Sequence, residues 1–424
     1  MRCLVILMKK LFLFFSMLLL WGNGFAQKPQ KASLHNDSLV QALNKEWDAE
    51  ALARQKEKLY FLDTARKEIV SSIDLSLCNF NKLPNLSGFR KVKVLKASGN
   101  HLKAVPVSSL KSNSMQEVNF SNNQLKRIRF PKNSSLTFVN LSHNHFHRIP
   151  RSLKKLKNLK RLELERNHIK RIPHFLRKMS SLQEINLNFN SVRLNEKAVK
   201  NLQGVRLILL AGNRLKQLPE NIGNLKSARK LNFAKNELSS VPASFAQLDS
   251  LEILIFYKNR FNTIPSAIFR LQQLVQLDFY YNQLDSLPRA IGRLRHLKQL
   301  FLSFNHIQEL PDSMQYLTQL RYLYIHHNDL RMIPDWIKNF NHLQRLGLGY
   351  NHLFFVPDLS GLKELKEVDL QHNNLSHFPW KLAESHTIQI LILRNNPFIL
   401  TNDEQEKLQR IEEEKRAHGY TLIP

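Results

Sequence analysis

The stretch LKQLFLSFNHIQELP, Leu297 to Pro311, carries the spacing on which the reading of this chain rests. Leu300 and Leu302 alternate along what reads as a short extended segment, Asn305 follows, and Ile307, Leu310 and Pro311 close the unit. LRYLYIHHNDLRMIP, Leu320 to Pro334, repeats every one of these positions. LKRLELERNHIKRIP, Leu159 to Pro173, and ARKLNFAKNELSSVP, Ala228 to Pro242, are further copies. The asparagine column runs Asn100, Asn123, Asn144, Asn167, Asn190, Asn213, Asn236, Asn259, Asn282, Asn305, Asn328, Asn351, Asn373 and Asn396, and Cys78 heads it in VSSIDLSLCNFNKLP. That makes about fifteen units at a period of about 23, inside the range of known repeat architectures.

Elementary geometry assigns the positions. Alternating leucines on an extended segment point to one side and the residues between them to the other. A buried asparagine is costly unless its amide is satisfied, and a regular column of them can bond to the backbone of neighbouring turns. Cys78 suits the first turn, where a small, weakly polar thiol can be buried, and reads as structural rather than reactive.

The pattern resembles the typical 23-residue class of the leucine-rich repeat family, over roughly Val70 to Asn396. The resemblance implies an α/β fold: a curved solenoid with one short strand per repeat in a parallel sheet on the concave side. End repeats cannot leave their apolar faces bare. Residues 27–69, rich in helix formers and free of Gly and Pro from Ser38 to Val70, read as a helical N-terminal cap. Residues 397–424 read as a helical C-terminal cap, with Thr401 and Glu404 at capping-box spacing and Leu408 and Ile411 as its apolar edge. One unit departs from the rule: NSVRLNEKAVKNLQG after Asn190 lacks Leu-Pro, and a longer helix is expected there.

Residues 1–26 combine Arg2, Lys9 and Lys10, an apolar run from Leu11 to Trp21, and small residues before Ala26, the order of a secretory signal peptide. The apolar run is shorter than the roughly 20 residues that a spanning helix needs. Export with cleavage near Ala26 is therefore expected over the alternative of an uncleaved anchor, which would recruit Leu4 to Met8 and have to bury Lys9 and Lys10; cleavage leaves a periplasmic, surface or secreted chain with no transmembrane segment and, in Cys78, too few cysteines for an internal disulfide. By the same resemblance, the lack of cysteine-rich caps points to a bacterial rather than an animal source.

If the leucines are core, function is expected on the intervening positions, which stacking aligns into columns. The turns carrying Asn259 to Asn328 place Tyr257, Tyr280, Phe301, Tyr322 and Tyr324 there, whereas the other turns place only Phe138. The fourth position, just before the asparagine, is of uncertain direction and is discounted, although it adds Tyr281, Phe304 and Tyr350. Ile253 and Ile255 extend the patch on one side, and His326, His327 and His372 on the other. Lys235, Lys258, Gln276, Asp278, Gln299 and Arg345 stand ready for directional contacts. Aromatic residues also suit strands without any ligand, but clustering on a solvent-facing sheet favours binding, since tyrosine is enriched at interface hot spots.

The formal charge of +29 predicts attraction to anionic surfaces. On the presumed concave columns acids and bases balance, so the excess lies elsewhere, most densely from Arg148 to Lys178. A solvated basic exterior is the plainer reading of that run, and docking on an anionic glycan or envelope surface the functional one; nucleic acid is not expected. His143, His145 and His147 lack a completing ligand for a metal. No nucleophile elbow, P-loop, metalloprotease or kinase motif occurs, and no catalytic residue, metal or cofactor is assigned. The expectation is a non-enzymatic recognition protein that grips a protein or peptide through the aromatic patch; the alternative is attachment to glycan or cell envelope, with the aromatic rings stacking on sugars while the run from Arg148 to Lys178 holds anionic groups.

Overall fold

A computed structural model describes residues 36–424 except residue 134, with side chains from residue 48 onward; the proposed signal segment lies outside the described residues. The chain divides into two compact units, residues 1–54 and 55–424. Of the first, the described part is the opening of helix α1, Asn36–Thr64. The second holds the end of that helix and all the repeats. No helix among the described residues is long and apolar enough to cross a membrane.

Among the described residues, sixteen parallel strands form one open sheet in strict chain order. Each is three residues long, from β1 at Ser72–Asp74 through β9 at Ile253–Ile255, β10 at Gln276–Asp278, β11 at Gln299–Phe301, β12 at Tyr322–Tyr324 and β13 at Arg345–Gly347 to β16 at Thr421–Ile423. In every repeat the central residue of the strand is buried and its neighbours face the open side. Leu277, Leu300 and Leu323 are 0% exposed, and one continuous apolar cluster runs from Leu62 to Ile411.

The asparagines hold the turns together. Asn282 Nδ2 donates to the carbonyls of Phe256 and Phe279, each at 3.0 Å, and its Oδ1 accepts from the Phe261 N–H at 3.1 Å. Nearly every turn repeats this set, so buried backbone groups that form no ladder are satisfied from within. The Cys78 thiol donates to the Ser76 carbonyl at 3.2 Å, and its N–H donates to Asn100 Oδ1.

Most returning connections contain a 3-10 segment that begins after Pro, as at Pro288 before Arg289–Arg293. The exception predicted after Asn190 is present as helix α2, Glu196–Leu202, N-capped by Asn195. A third helix, Trp380–Glu384, occupies the last full repeat. Gly292 shows how tightly the connections stack: a Cβ there would lie 2.3 Å from the Ser313 carbonyl oxygen. Backbone cannot yield as a side chain does, so Gly292→Ala is expected to cost about 1–3 kcal/mol through overpacking. Urea unfolding checks this, and an unchanged midpoint would mean that adjacent connections separate freely.

Apolar residues of the flanking segments cover both ends of the repeats. Leu62 and Ala65 join the core at the N-terminal edge. Helix α4, Asn402–Ala417, starts with the full Thr401/Glu404 capping box and buries Leu408 and Ile411. The chain then does what a purely helical reading of 397–424 omits: it returns to the sheet as β16, pairing Leu422 with Leu391 and covering the edge of β15. Lys415, on α4, donates to the carbonyls of Ser385 and Ile388 at 2.9 and 3.1 Å, tying the cap to the last repeat.

Candidate functional site

The sheet register places the sequence-derived residues in four parallel columns on the open face. The first runs Ile253, Gln276, Gln299, Tyr322, Arg345, and the second Ile255, Asp278, Phe301, Tyr324, Gly347, Asp369. Beyond the strands, backbone hydrogen bonds keep the next two positions in step, as in Tyr281 N–H to Ser303 and Phe304 N–H to His326. Tyr257 and Tyr280 therefore stand in the third column, and Lys258, Tyr281, Phe304, His327, Tyr350 and His372 in the fourth.

The discounted fourth position carries the most regular feature of the face. Its residues all adopt positive φ, from 50° at Arg166 through 56° at Tyr281 to 66° at Gly212. This left-handed conformation is unusual outside glycine. Because every turn repeats it, the side chains leave the backbone in the same direction and pile face to face. The rings of Tyr281 and Phe304 are 4.1 Å apart, Phe304 and His327 4.0 Å, His327 and Tyr350 4.0 Å, and Tyr350 and His372 4.1 Å, all within 23° of parallel. Asn395 Nδ2 closes the stack against His372 Nε2 at 2.7 Å. Sequence reading named His327 and His372 only as flanks of the patch; the recurrence of planar side chains immediately before Asn was the signal available. Burial, followed by the neighbouring His326 and His372, lowers the pKa of His327, so its ring is neutral in the stack at neutral pH.

Inside this ladder lies a second aromatic group. Tyr257 and Tyr280 are 5.6 Å apart, and Tyr280 meets Tyr281 and Phe304 edge-on at 4.8 and 5.2 Å. Phe301 and Tyr324 stack at 5.5 Å with only 6° between their planes. The rings thus pack partly on one another, as aromatic residues on neighbouring strands do, and most are half-buried. Tyr281 and Tyr350 stay 40% and 38% exposed.

Next to this group the floor is notched by Gly347 and Gly349, which sequence reading passed over. A Cβ on Gly347 would lie 2.0 Å from His326 Nε2 and 2.7 Å from Tyr324 Cδ1. The missing side chain lets His326 lie across β13, its Nδ1 3.6 Å from Asp369 Oδ2. His326 is accordingly held by the protein itself. Burial lowers its pKa, which the Asp369 charge partly offsets.

The polar residues divide similarly. Arg345 Nε is 3.2 Å from Glu367 Oε2, and its guanidinium lies 5.7 Å from the Tyr322 ring. Tyr322 donates its hydroxyl to Gln344 at 3.2 Å. Lys235 approaches the Tyr257 and Phe189 rings at 5.8 and 5.6 Å, while Lys258 is exposed.

Asp278 differs from all of these. Its Oδ1 accepts the Tyr280 N–H at 2.9 Å, but no cation among the described residues lies within ion-pair distance of it. Burial pushes its pKa from 3.8 up to about 6, against a smaller opposing effect of the Tyr280 N–H. The folded-state value lies above the unfolded one, so stability falls as pH rises from about 4 to about 6 and the full penalty holds above that. The difference corresponds to at most about 3 kcal/mol against folding at neutral pH, reduced by the solvent that still reaches the group. Burial also drives the Tyr280 hydroxyl up to about 12, so it stays protonated.

The histidines of the HNHFH stretch flank buried Phe146, with His145 and His147 ring-to-ring against His168 at 6.0 and 5.2 Å. Among the described residues no three metal-ligating side chains converge.

A leucine-rich repeat region model matches residues 267–412, and a leucine rich repeat model matches residues 134–192. No curated protein sequence matches the chain significantly. Among solved structures, a leucine-rich repeat protein of Leptospira interrogans is 24% identical with a TM-score of 0.75, over 83% of this chain and 96% of that one. An internalin of Listeria monocytogenes is 21% identical with a TM-score of 0.60, over 73% of this chain and 88% of that one. The receptor kinase ectodomain GASSHO1/SCHENGEN3 of Arabidopsis thaliana, solved in complex with Casparian strip integrity factor 2, is 25% identical with a TM-score of 0.56, over 73% of this chain and 42% of that one. The matched segments carry the same asparagine column that the buried hydrogen bonds follow, and the chain belongs to the leucine-rich repeat family.

Proposed function

We propose that this chain is an exported, non-enzymatic binding protein that holds a protein or peptide partner on the open face of the sheet, across the turns from Asn236 to Asn373. The observation that carries this reading is the clustering of Tyr257, Tyr280, Tyr281, Phe301, Phe304, Tyr324 and Tyr350 on that face, together with the apolar Ile253 and Ile255. Burying such rings supplies affinity, and their few rotatable bonds make the ordering cost small. Lys258, Asp278 and Arg345 around them set orientation. The plant receptor ectodomain is known in complex with Casparian strip integrity factor 2, and Toll of Drosophila, 20% identical to this chain, in complex with Spätzle. Both are consistent with a macromolecular partner. Capture of a partner by the mature chain from Gln27, with and without substitution of Tyr280, Phe301 and Tyr324, tests the assignment.

A second reading, attachment to an anionic glycan or envelope surface, is favoured by the basic flank. No Asp or Glu occurs between Glu117 and Glu163. A groove of about 710 Å³ there is lined by Lys126, Arg127, Arg129, Arg148, Lys154 and Lys155 among others, and further along the flank another groove meets Arg193, Arg214 and Lys216. Changing Arg127, Arg148, Lys154 and Lys155 to Glu is expected to release the protein from purified envelope and to abolish the salt dependence of its retention, leaving capture of a protein partner unchanged. Retention that neither salt nor these changes reduce would exclude the flank as a docking surface.

A further inference from the structure

The carboxylate at the centre of the aromatic group, which has no counter-charge among the described residues, indicates what the partner presents. In the second column, seven turns use the same device: a side-chain oxygen accepts the N–H two residues on. Asn119, Asn140, Asn186 and Asn232 do so at 2.9–3.0 Å to Ser121, Ser142, Asn188 and Ala234. Asp74, Asp278 and Asp369 do so to Ser76, Tyr280 and Gln371. Where a turn uses this bond one acceptor oxygen suffices, and neutral asparagine supplies it. A negative charge here is therefore surplus to the scaffold.

Asp74 carries that charge in solvent, and Asp369 sets it against His326 and the Gln371 amide at 3.0 Å. Asp278 alone holds it half-buried with no counter-charge among the described residues. Its register neighbours are Ile255 on one side and Phe301 on the other, and Tyr280 follows two residues on. A carboxylate framed by aromatic rings complements a cation: the carboxylate accepts charge-assisted hydrogen bonds while the rings attract the cation through their faces. A planar guanidinium fits such a frame better than an ammonium, because it can bond in a fork and stack at once.

We propose that Asp278, with Phe301, Tyr280 and Tyr257, forms a cation subsite that receives an arginine side chain of a peptide partner. The assignment rests on the open-face reading above and adds to it the chemistry of the ligand. The charge is retained at a cost to folding, since burial pushes this carboxyl up to about 6. Asn in its place would keep the hydrogen bond to the Tyr280 N–H and remove that cost.

The test is selection of a random displayed peptide library on the full mature chain, followed by binding of synthetic copies of the selected peptides. Wild type, Asp278→Asn and the Tyr280→Ala/Phe301→Ala/Tyr324→Ala variant are compared. Wild type is expected to select peptides sharing one arginine. Replacing that arginine by citrulline should weaken binding to wild type about tenfold or more and should leave binding to Asp278→Asn unchanged. Asp278→Asn should melt no lower than wild type. Peptides that need the aromatic residues but carry no basic residue, or that bind Asp278→Asn as tightly, would overturn the subsite and leave the open-face reading standing. Lysine in place of arginine throughout would overturn the preference for guanidinium. Selected peptides indifferent to the triple substitution would overturn the open-face reading and the subsite together.

Discussion

Changing Tyr280, Phe301 and Tyr324 together to alanine is expected to abolish partner capture while the solenoid stays folded. Truncating one hot-spot aromatic residue commonly costs about 2 kcal/mol or more. Three from one contiguous surface should therefore lower affinity by well over a hundredfold, although such losses do not add simply. The frame should survive because these side chains lie on the side opposite the core. Leu277, Leu300 and Leu323, at the centres of the same strands, are 0% exposed and untouched. What the frame loses is the Phe301–Tyr324 stack at 5.5 Å and the Tyr280 edge contacts, at about 0.5–1.5 kcal/mol per pair. Melting followed by circular dichroism should show a drop of only several degrees. A folded triple variant that retains its partner would remove the open face from consideration.

Asn282→Ala is expected to produce a large loss of stability. It leaves the N–H of Phe261 buried without its acceptor and takes one of two amide donors from the carbonyls of Phe256 and Phe279, which keep those of Asn259 and Asn305. The unsatisfied N–H costs about 1–3 kcal/mol and each further hydrogen bond lost about 0.5–1.5, so a total of about 2–6 kcal/mol is expected. The defect should also be local. In a solenoid each turn contacts mainly its neighbours, so one weak turn divides the cooperative unit. Hydrogen exchange should show lost protection around Phe261 and Leu284, and chemical unfolding should broaden or separate into steps. Cys78→Ala is the internal comparison: at the same column position it removes the sulfur hydrogen bond of 3.2 Å to the Ser76 carbonyl and leaves the backbone N–H of Cys78 bonded to Asn100, and its cost should be smaller. Equal losses for the two changes would mean that the asparagine network contributes little beyond packing.

The aromatic site was legible as a cluster and not as an arrangement. Tyr257, Tyr280, Phe301, Tyr322 and Tyr324 could be placed on one face from their spacing between buried leucines. The stacking of Tyr281, Phe304, His327, Tyr350 and His372 could not, because the direction of the fourth position depends on a positive φ that recurs in turn after turn. His326 counted as outward-facing by its spacing. It lies over Gly347 because a glycine on the following strand leaves room, and Asp369 beyond it attracts the ring. Arg345 was equally placed by position, and the structure occupies it with Glu367 on the next strand.

The basic flank illustrates the converse. The absence of acids between Glu117 and Glu163 is a property of the sequence alone, and it locates the charge without any coordinates. The grooves that collect those side chains come from the stacking of turns.

The sequence alone determined the repeat and its buried residues, through the spacing of leucines and asparagines, together with the resemblance to the family, the departure after Asn190 and the capping box at Thr401. Those features answer to requirements that every turn meets in the same way and mostly within itself: alternation on a strand, satisfaction of a buried amide, a helix start. The tertiary structure alone decided the ring ladder, the seat of His326, the return of Thr421–Ile423 to the sheet edge and the isolation of Asp278. Each of these depends on what a neighbouring turn places within a few ångströms, and residues about a repeat apart in the chain become neighbours only when the turns stack.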